Sequence, residues 1–400
     1  MPQIIQLMKI LIANKFYYNR GGDCIYAINL EKILASRGHE VAFFAMQYPD
    51  NLPSKWSKYW PSEVSFKPGP KIFGAFARPF GIGEVKTKFA ALLEDFKPEV
   101  GHLGNIHSQL SPVIAEIAHK KGIKVVWTIH DYKLLCPRYD CLKNGKEACE
   151  LCFADKSHVL KNKCMKGSMV ASTIAYLEAK KWSQKRLDAC VDTYICPSRF
   201  MAEKMLKGGF DKSKVLSLCN FIDVQKCQKD GASQPARDYY CFLGRLSHEK
   251  GVETLINAAS SLPYKLVVIG GGPLEEYLKS KNCENISFVG FKQWDEIKRI
   301  VSAARFVVVP SEWYENNPLS IIESKCLGTP VLGARIGGIP ELIDEGFSGM
   351  TFESRNTNDL REKIEQMWNA QFDYEQIAQN SMAKYTADQY CNALINIYQN

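Results

Sequence analysis

The chain has 400 residues, of which 46% are hydrophobic and 24% charged, and its formal net charge is +8. This size and apolar content suit two ordinary domains, each with its own core. No run of eighteen apolar residues occurs, which excludes a transmembrane helix. The first seven residues lack the basic start and apolar core of a signal peptide. The basic balance favours anionic partners, such as a phospholipid surface, a pyrophosphate-bearing acceptor or nucleic acid.

Apolar strands alternate with amphipathic helical stretches along the chain, a pattern typical of doubly wound α/β sheets. Translation is predicted to begin at Met1 or at Met8, because the segment from Met8 opens the first strand directly. In the N-terminal half we predict strands over residues 9–13, 39–45, 100–103 and 124–129.

Two features follow predicted strand ends in this half. Gly21 and Gly22 lie in the loop between the first strand and a helix, and His130 directly follows the fourth strand. Ligands in open α/β sheets bind outside such strand ends, so both features are candidates for ligand contact. His130 can hydrogen-bond either a sugar hydroxyl or a backbone carbonyl. Asp131 either orients the imidazole or caps the segment that follows.

Aromatic and basic side chains are interleaved between residues 55 and 89. This mixture suits an interface with anionic lipid, and it would also suit single-stranded nucleic acid. The alternative is a loop whose aromatic rings pack on the N-terminal core. The side chains are Trp56, Tyr59, Trp60, Phe73, Phe76 and Phe80 with Lys55, Lys58, Lys71, Arg78, Lys86 and Lys88, and Lys180, Lys181, Lys185 and Arg186 could extend them.

The chain contains fourteen cysteines. Most are scattered singly, as free thiols are in proteins of reducing compartments. Five fall within one segment that reads as an insertion. There Cys149 and Cys152 have a zinc-knuckle spacing, and Cys164 with either Cys136 or Cys141 would complete four thiolates for a structural zinc ion. Unligated or disulfide-linked thiols are the alternative.

A polar stretch separates the two halves. Residues 224–238 contain Gly, Ser and Pro and show no periodicity, so we interpret them as an interdomain linker. Beyond it we predict a strand from Tyr239 and further strands over residues 265–269, 286–289, 306–309 and 330–332.

Two cations follow the strand that starts at Tyr239. The strand is closed by Gly244, and Arg245 and Lys250 come next, five positions apart. A nucleoside-diphosphate leaving group develops negative charge, which fixed guanidinium and ammonium groups can stabilise in place of a metal ion. No Asp-x-Asp pair occurs in the chain, which argues against a divalent-metal clamp on a sugar nucleotide. Solvated basic residues in a turn are the alternative.

The segment from Ser311 to Pro340 has the features of an active-site mouth. Asn317 is a good helix N-cap and Pro318 suits the first helical position, so we predict a helix start that attracts phosphate. Glu315 precedes this cap, and Glu323 follows it within the helix. Ionised carboxylates only accept hydrogen bonds, so they suit the hydroxyls of a ribose and a sugar on either side of a diphosphate. For an isolated pair, solvated surface acids would be the simpler interpretation.

Taken in chain order, FLGRLSHEKG, VVIGGGP, FVGF and YENNPLSIIE resemble the nucleotide-sugar domain of the retaining glycosyltransferases of family 4. In the N-terminal half, NKFYYNRGGDCIYAINLEKILASRGHEV, TIHDYKLLCP and CPSRFMAEKMLKGGFDKSKVLSLCNFID resemble the acceptor domain of that family. Nearly the whole chain is covered. The resemblance implies the GT-B fold, an α/β architecture of two Rossmann-like doubly wound parallel-sheet domains that face each other across a cleft.

The resemblance also implies domain limits. Residues 1–223 would form the acceptor-binding domain, with the cysteine-rich insertion at about 136–164. Residues 224–238 would be the linker, and 239–384 the nucleotide-sugar domain. A C-terminal helix at about 385–400 would pack back on the first domain.

Roles for individual residues follow from the same resemblance. Arg245 and Lys250 would bind the donor diphosphate and Glu323 the ribose. Glu315 would bind the transferred sugar, and His130 would contact that sugar from the other domain. The expected catalytic residues are Arg245, Lys250, Glu315 and His130. The expected donor-binding residues are Gly22, Gly244, Arg245, Lys250, Gly271, Gly290, Phe291, Glu315, Asn316, Asn317, Pro318, Leu319 and Glu323. Similar cysteine sets in capsule and O-antigen members favour Cys136, Cys149, Cys152 and Cys164 as zinc ligands, with Cys141 as the alternate.

These features predict a retaining, metal-independent hexosyltransferase without a catalytic cofactor. It would use a UDP- or GDP-sugar and a saccharide acceptor, expected to be lipid-linked, in surface polysaccharide biosynthesis. We expect a cytoplasmic location, peripheral on the inner membrane, and no nucleic-acid partner. The alternatives are a nucleotide-sugar 2-epimerase of the same architecture and a non-catalytic nucleotide- or nucleic-acid-binding protein.

Overall fold

The computed structural model describes residues 7–64, 71–228, 237–281 and 283–400, which form two compact units. Unit 1 extends to Asn144 and resumes over Cys149–Cys219 and Tyr390–Asn400. Unit 2 comprises Gly145–Ala148 and Asn220–Gln389. Among the helices described, none combines the length and the apolar composition that a bilayer-spanning segment needs.

The strands of the described residues are numbered in chain order. They are β1 (Lys9–Ala13), β2 (Glu40–Phe44), β3 (Val100–Leu103), β4 (Lys124–Thr128), β5 (Leu142–Lys143), β6 (Glu147–Ala148), β7 (Thr193–Cys196), β8 (Val215–Ser217), β9 (Tyr239–Leu243), β10 (Lys265–Ile269), β11 (Ile286–Gly290), β12 (Val307–Val309), β13 (Val331–Ala334) and β14 (Gly349–Phe352).

The helices are numbered in the same way. They are α1 (Gly22–Ser36), α2 (Lys71–Ala77), α3 (Glu84–Phe96), α4 (Val113–Lys120), α5 (Leu151–Ala154), α6 (His158–Lys161), α7 (Met169–Lys181), α8 (Gln184–Asp188), α9 (Arg199–Lys207), α10 (Val252–Ala259), α11 (Glu275–Lys279), α12 (Trp294–Ala303), α13 (Leu319–Cys326), α14 (Thr357–Asn369), α15 (Tyr374–Lys384) and α16 (Ala387–Gln399). Short 3-10 helices span Ser57–Tyr59, Arg78–Phe80, Val224–Cys227, His248–Lys250 and Pro340–Leu342.

The sheet of unit 1 has the strand order β2-β1-β3-β4-β7-β8, and every neighbouring pair is parallel. Its central strands are almost entirely buried, as parallel strands covered by helices on both faces must be. The order reverses between β1 and β3. The loop that follows β1 ends at Gly21, Gly22 is the first residue of α1 rather than part of the loop as predicted, and His130 lies two residues after β4.

The sheet of unit 2 has the strand order β11-β10-β9-β12-β13-β14, again with parallel neighbours. Counted within this unit, the order is 3-2-1-4-5-6, which is the order of dinucleotide-binding Rossmann folds. The order reverses between β9 and β12. Ligands of such sheets bind at the carboxyl ends of the strands where this reversal occurs. The two sheets confirm the prediction of two doubly wound parallel-sheet domains.

Most predicted strands are confirmed to within two residues. Strands β1, β3 and β10 have the predicted bounds, whereas β4 ends at Thr128, one residue earlier than expected. The predicted linker lies partly outside the described residues, since only 224–228 and 237–238 are described. Of these, Val224–Cys227 form a 3-10 helix with a buried Cys227.

Candidate active site

The candidate site of unit 2 is built from the turns that follow β9 and β12. These strands pair in parallel, with Val307 opposite Cys241 and Val308 opposite Phe242, so their carboxyl ends lie side by side. The turn after β9 carries the predicted cations, and the segment after β12 carries Glu315. A backbone hydrogen bond of 2.9 Å from the amide of Glu312 to the carbonyl of Glu249 joins the two segments.

Gly251 permits this close approach of the two segments. Its φ of 64° lies in the left-handed region, and a Cβ atom there would lie 1.8 Å from the carbonyl oxygen of Pro310. Only glycine fits such a contact without moving the backbone. The residue before it, Lys250, is thereby held beside the segment that contains Glu315.

Lys250 and Glu315 form a direct ion pair. The distance from Lys250 Nζ to Glu315 Oε1 is 2.6 Å, and the Ser311 hydroxyl donates to the same oxygen at 2.8 Å. Glu315 is only 7% exposed. Burial alone would raise the pKa of Glu315, but the Lys250 ammonium and the hydrogen bond from Ser311 bring it below its ordinary value. The carboxylate is therefore ionised near neutral pH and its position is fixed.

Arg245 differs from Lys250 in having an exposed side chain. Its guanidinium has no hydrogen-bond or ion-pair partner within the part of the chain that the structure describes, while its backbone carbonyl accepts from the amide of Ser247. An exposed guanidinium beside the carboxyl end of β9 can bind an anion bidentately.

Three of the predicted donor-binding glycines lie at the carboxyl ends of the neighbouring strands β9, β10 and β11, with Gly290 as the last residue of β11. The carbonyl of Gly271 accepts a hydrogen bond of 3.0 Å from the amide of Leu246, and the carbonyl of Gly290 accepts one of 2.9 Å from Gly270. Gly244 ends β9 and donates its amide to Ile269 at 3.0 Å. The three turns are thus in mutual contact at one edge of the sheet. Phe291, next to Gly290, is 78% exposed and free to meet a ligand.

The helix predicted to start at Pro318 begins one residue later, so that part of the prediction is wrong. Pro318 itself is the N-cap residue, with φ −66° and ψ 116°, and α13 starts at Leu319. Asn317 therefore precedes the N-cap residue, and its side-chain oxygen accepts a hydrogen bond of 3.3 Å from the amide of Asn220. Asn316 lies between Glu315 and this contact and is half-buried.

Glu323 lies on α13, one turn beyond its start, and is half-buried. Burial raises the pKa of Glu323 to about 7, although the positive charge of Lys226 opposes the shift. A carboxyl group in this state titrates near neutral pH and can accept hydrogen bonds from a vicinal diol when ionised.

In unit 1 the predicted site residue is His130. Its ring packs edge-on against Tyr26, with 4.6 Å between the ring centroids, and its buried Nε2 atom has no hydrogen-bond partner among the residues that the structure describes. Burial lowers the pKa of His130, so the imidazole is neutral near pH 7. An unpaired buried nitrogen is costly unless a ligand supplies the missing hydrogen bond.

Asp131 does not orient His130 through a hydrogen bond. Its carboxylate accepts from the amide of Lys133 at 2.9 Å and lies 3.7 Å from Nε2 of His107. The alternative role as a cap of the following turn is therefore the one that the structure supports.

Tyr26 was not singled out by sequence, although it fixes the surroundings of His130. It lies on α1, which begins at Gly22 with Gly21 as its extended cap residue. The Tyr26 hydroxyl is 2.5 Å from that of Tyr390 and 3.3 Å from that of Thr128. A buried tyrosine four positions after a glycine pair carries no local signal of such a role. Ser311, which donates to Glu315, was also not predicted as a site residue, because no local sequence pattern indicates that contact.

Cysteines of the insertion form a cluster. Cys136, Cys141 and Cys152 are buried, and hydrogen bonds from the thiols of Cys141 and Cys152 hold the pKa of Cys136 below its ordinary value. Cys164 packs with Cys152 in a small apolar core. Among the described residues, however, no group of three or more His, Cys, Asp or Glu side chains is arranged to hold a metal ion. Zinc binding with Cys149 as a further ligand stays a prediction, which metal analysis of the purified chain would test.

The aromatic and basic segment of residues 55–89 falls partly outside the described residues, namely at 65–70 and at the side chains of Lys71 and Phe73. Trp60 is buried and donates to the carbonyl of Phe43 at 2.7 Å. Arg78 is buried and forms an ion pair with Glu84. These side chains support the interpretation as a loop that packs on the core of unit 1.

Comparison with known proteins identifies two family models. The model of glycosyltransferase family 4 matches residues 20–226, just over half of the chain, and the model of glycosyl transferases group 1 matches residues 223–386. The two matches together include every catalytic residue proposed from the sequence.

Two relatives illustrate the range of similarity. A glycosyltransferase of Methanocaldococcus jannaschii is 28% identical over 182 residues, 44% of this chain and 50% of the relative, so the chain spans half the length of that protein. A 42.6 kDa protein in the cps region of Klebsiella pneumoniae is 24% identical over 355 residues, 84% of this chain and 87% of that protein.

Solved structures agree in fold over almost the whole chain. Sucrose-phosphate synthase from Thermosynechococcus elongatus has a TM-score of 0.70 at 17% identity, with 98% of both chains covered. The Anabaena protein HepE in complex with UDP has a TM-score of 0.67 at 16% identity, covering 98% of this chain and 100% of that one. With the matched family models and the strand order of both sheets, this likeness shows that the chain has the GT-B fold and belongs to glycosyltransferase family 4.

Proposed function

We propose that this protein is a retaining glycosyltransferase that moves a hexose or related sugar from a UDP- or GDP-sugar to a saccharide acceptor. The observation that carries the proposal is the contact between Lys250 and Glu315 beside the exposed Arg245, where the strand order of unit 2 reverses. Two cations and a fixed carboxylate match a substrate in which a diphosphate adjoins a sugar.

In the proposed reaction, the main role of the two cations is to stabilise the departing diphosphate. Arg245 and Lys250 hold the charge that develops on the leaving oxygen, so the reaction proceeds without a metal clamp. Glu315 accepts hydrogen bonds from the transferred sugar, Glu323 accepts them from the ribose, and His130 offers Nε2 to a sugar hydroxyl. Among the described residues of the candidate site we assign no carboxylate as a nucleophile, which favours front-face displacement. The acceptor oxygen bonds to the anomeric carbon as the bond from that carbon to the phosphate oxygen breaks, and the leaving phosphate takes the acceptor proton.

Similar proteins support the classes of donor and product that we propose for this chain. HepE binds UDP and UDP-glucose, and a relative from Erwinia amylovora, 29% identical over 191 residues, is an amylovoran biosynthesis glycosyltransferase. Together with the Klebsiella protein from a cps region, these names support a nucleotide-sugar donor and a role in surface polysaccharide biosynthesis. We extend the proposal to a lipid-linked acceptor at the cytoplasmic face of the inner membrane.

Thermal unfolding with a panel of UDP- and GDP-sugars tests the donor site. A donor at a hundred times its dissociation constant should stabilise the protein by about 2.7 kcal/mol. Release of free nucleoside diphosphate only after a glycan acceptor is added would distinguish transfer from epimerisation. Stabilisation by none of the sugar nucleotides would contradict the proposal.

Replacing Arg245 by Ala should lower the stabilisation by the donor to about half or less, while leaving the melting temperature of the free protein unchanged. The reason is that the exposed guanidinium has no protein partner to lose among the described residues. Losing a charge-assisted contact to phosphate should weaken donor binding about tenfold or more. Arg299→Ala, at an exposed position on α12, is the matched control and should bind donor normally. Equal donor binding by both variants would rule out the assigned role of Arg245.

Replacing Glu323 by Gln should remove a pH dependence of stability. The folded-state pKa of about 7 exceeds the ordinary 4.5, so the folded chain holds the proton more tightly than the unfolded chain. The contribution of Glu323 to the free energy of unfolding, measured as the difference between the parent and the Glu323→Gln protein, should therefore fall by on the order of 1 to 3 kcal/mol as pH rises from about 5 to about 8. Denaturant unfolding at both pH values would measure the difference, with the exposed Glu365→Gln as control. A parallel pH dependence in parent and Glu323→Gln proteins would contradict this environment for Glu323.

A further inference from the structure

Helix α7 of unit 1 presents an apolar face to solvent. Its buried face is formed by Ser172, Ala175 and Glu178. On the opposite face Val170 is 69% exposed and Leu177 is 49% exposed. These two lie seven residues apart, hence within about 20° of each other around the helix. A surface helix normally carries polar side chains on its outward face, so this apolar stripe requires an explanation.

Two further exposed apolar side chains belong to residues at or near the ends of this helix. Met169, at the start of the helix, is 49% exposed. At the other end, Lys181 Nζ donates to the carbonyl of Phe80 and Trp182 Nε1 to that of Pro79, each at 2.6 Å. Two residues beyond Phe80 lies Ile82, which is 57% exposed. We call Met169, Val170, Leu177 and Ile82 the α7 surface.

The α7 surface is bordered by positive charge. Residues 161–187 contain seven Lys or Arg and a single acid, Glu178. That acid is buried and paired with Lys133 at 2.9 Å, so it offers no negative charge to the surface. The exposed basic residues that form no ion pair within the described chain are Lys163, Lys166, Lys180 and Lys185.

We propose that the α7 surface docks on an anionic phospholipid bilayer, with its aliphatic side chains entering the headgroup boundary and the flanking lysines meeting lipid phosphates. Aliphatic side chains between lysines match such a boundary. Single-stranded nucleic acid is disfavoured, because the exposed stripe contains no aromatic ring on which a base could stack. A second copy of this chain is disfavoured as well, because a self-contact would bring the lysine groups of both copies together.

This inference goes beyond the transfer reaction and rests on the proposed function only in that a lipid-linked acceptor gives membrane docking a purpose. It identifies a different surface from the 55–89 segment, whose Trp60 and Arg78 are committed to the core. Docking by α7 would keep unit 1, the acceptor-binding unit of the proposal, at the bilayer.

Sedimentation of the full chain with vesicles tests the inference without any sugar nucleotide. The protein should bind vesicles of phosphatidylglycerol and phosphatidylethanolamine and should bind phosphatidylcholine vesicles at least about tenfold more weakly. The double substitution Val170→Asp and Leu177→Asp should lower binding to the anionic vesicles about tenfold or more. Binding to the anionic vesicles should also weaken when four lysines are replaced together by Gln, namely Lys163, Lys166, Lys180 and Lys185. This loss should be larger at low salt than at high salt, because salt screens the attraction between lysine and lipid phosphate.

A matched control is available on α9. Leu206 is 39% exposed, but its neighbours Lys204 and Lys207 are both paired with Glu150, at 2.5 and 2.6 Å. Leu206→Asp should therefore leave vesicle binding unchanged, and thermal unfolding would verify that each variant is folded.

Measuring turnover on a soluble saccharide acceptor distinguishes a failure of the docking proposal from a failure of the proposed function. The Val170→Asp and Leu177→Asp protein should keep that activity, since neither side chain belongs to the candidate active site. Equal vesicle binding by the parent and the double variant, or no binding of the parent to anionic vesicles, would overturn the docking proposal. Loss of binding to a single-stranded oligonucleotide instead, with vesicle binding unchanged, would overturn it too.

Discussion

Replacing Lys250 by Met is expected to lower turnover by about 10²- to 10³-fold and to lower the melting temperature as well. The loss of turnover follows from the loss of a cation that stabilises the leaving diphosphate. The loss of stability follows from the ion pair, because Glu315 is 7% exposed and would keep only Ser311 as a partner for Oε1. Since the Lys250 side chain is 28% exposed and water screens the pair in part, we expect a cost on the order of 1 to 3 kcal/mol.

A second variant separates these two effects. The double substitution Lys250→Met and Glu315→Gln removes the buried charge together with its partner, so the melting temperature should recover. Turnover should not recover, because the diphosphate still lacks its ammonium group and the transferred sugar also lacks the Glu315 carboxylate, so only a recovery of turnover is decisive for Lys250. Kinetics on the sugar nucleotide and thermal unfolding of both variants would measure this. Recovery of turnover with stability would mean that Lys250 acts only by holding the structure together.

The importance of Lys250 could be predicted from sequence, whereas its contact with Glu315 could not. Both residues follow predicted strands, and a parallel sheet gathers such segments at one edge. Which side chains meet there depends on the approach of Gly251 to Pro310, a contact between segments about sixty residues apart. No local pattern encodes that approach.

The start of α13 illustrates a different limit. Asn317 followed by Pro318 is a favourable local signal for a helix start, and the error is one residue. Asn220 lies 97 positions earlier and donates its backbone amide to the Asn317 side-chain oxygen. The local signal does not encode a tertiary contact of this kind, which accompanies the one-residue shift of the helix start.

Short strands were the main omission in the fold. Strands β7 and β8 have four and three residues, and β8 is only half-buried, so neither gives a clear apolar run. The five-residue strands β1 and β10 were found with their bounds because each contains a run of consecutive apolar residues, and the buried four-residue β3 was found as well. The strand order, in contrast, needed the structure, since periodicity does not specify which strands are neighbours.

Removal of residues 390–400 is expected to unfold unit 1 at ordinary temperatures. This segment of α16 belongs to unit 1, and its buried side chains are Tyr390, Cys391, Leu394, Ile395 and Tyr398. Burial of a large apolar side chain contributes about 1.5 to 3 kcal/mol. Several together approach the total stability of a domain, about 5 to 15 kcal/mol.

Polar contacts within unit 1 add to this loss. The Tyr398 hydroxyl is 2.7 Å from Nδ1 of His102, whose Nε2 is 2.9 Å from the Thr128 hydroxyl. Burial lowers the pKa of His102 to about 3, so the neutral ring depends on these hydroxyl partners, with the Tyr26 hydroxyl at 3.4 Å from Nε2 as a third. Tyr398→Phe, which removes one of them and keeps the ring packing, should cost about 1 to 3 kcal/mol.

Denaturant unfolding followed by circular dichroism would compare the two changes. A chain that lacks only Gln399 and Asn400 is the control, because both are exposed and it should unfold like the parent. The chain that ends at Gln389 should lose the cooperative transition of unit 1, and Tyr398→Phe should shift that transition without abolishing it. If the chain that ends at Gln389 unfolded with the parent midpoint, the buried residues of α16 would contribute nothing to unit 1. The surroundings of His130, which depend on Tyr26 and its contact with Tyr390, would then need another support.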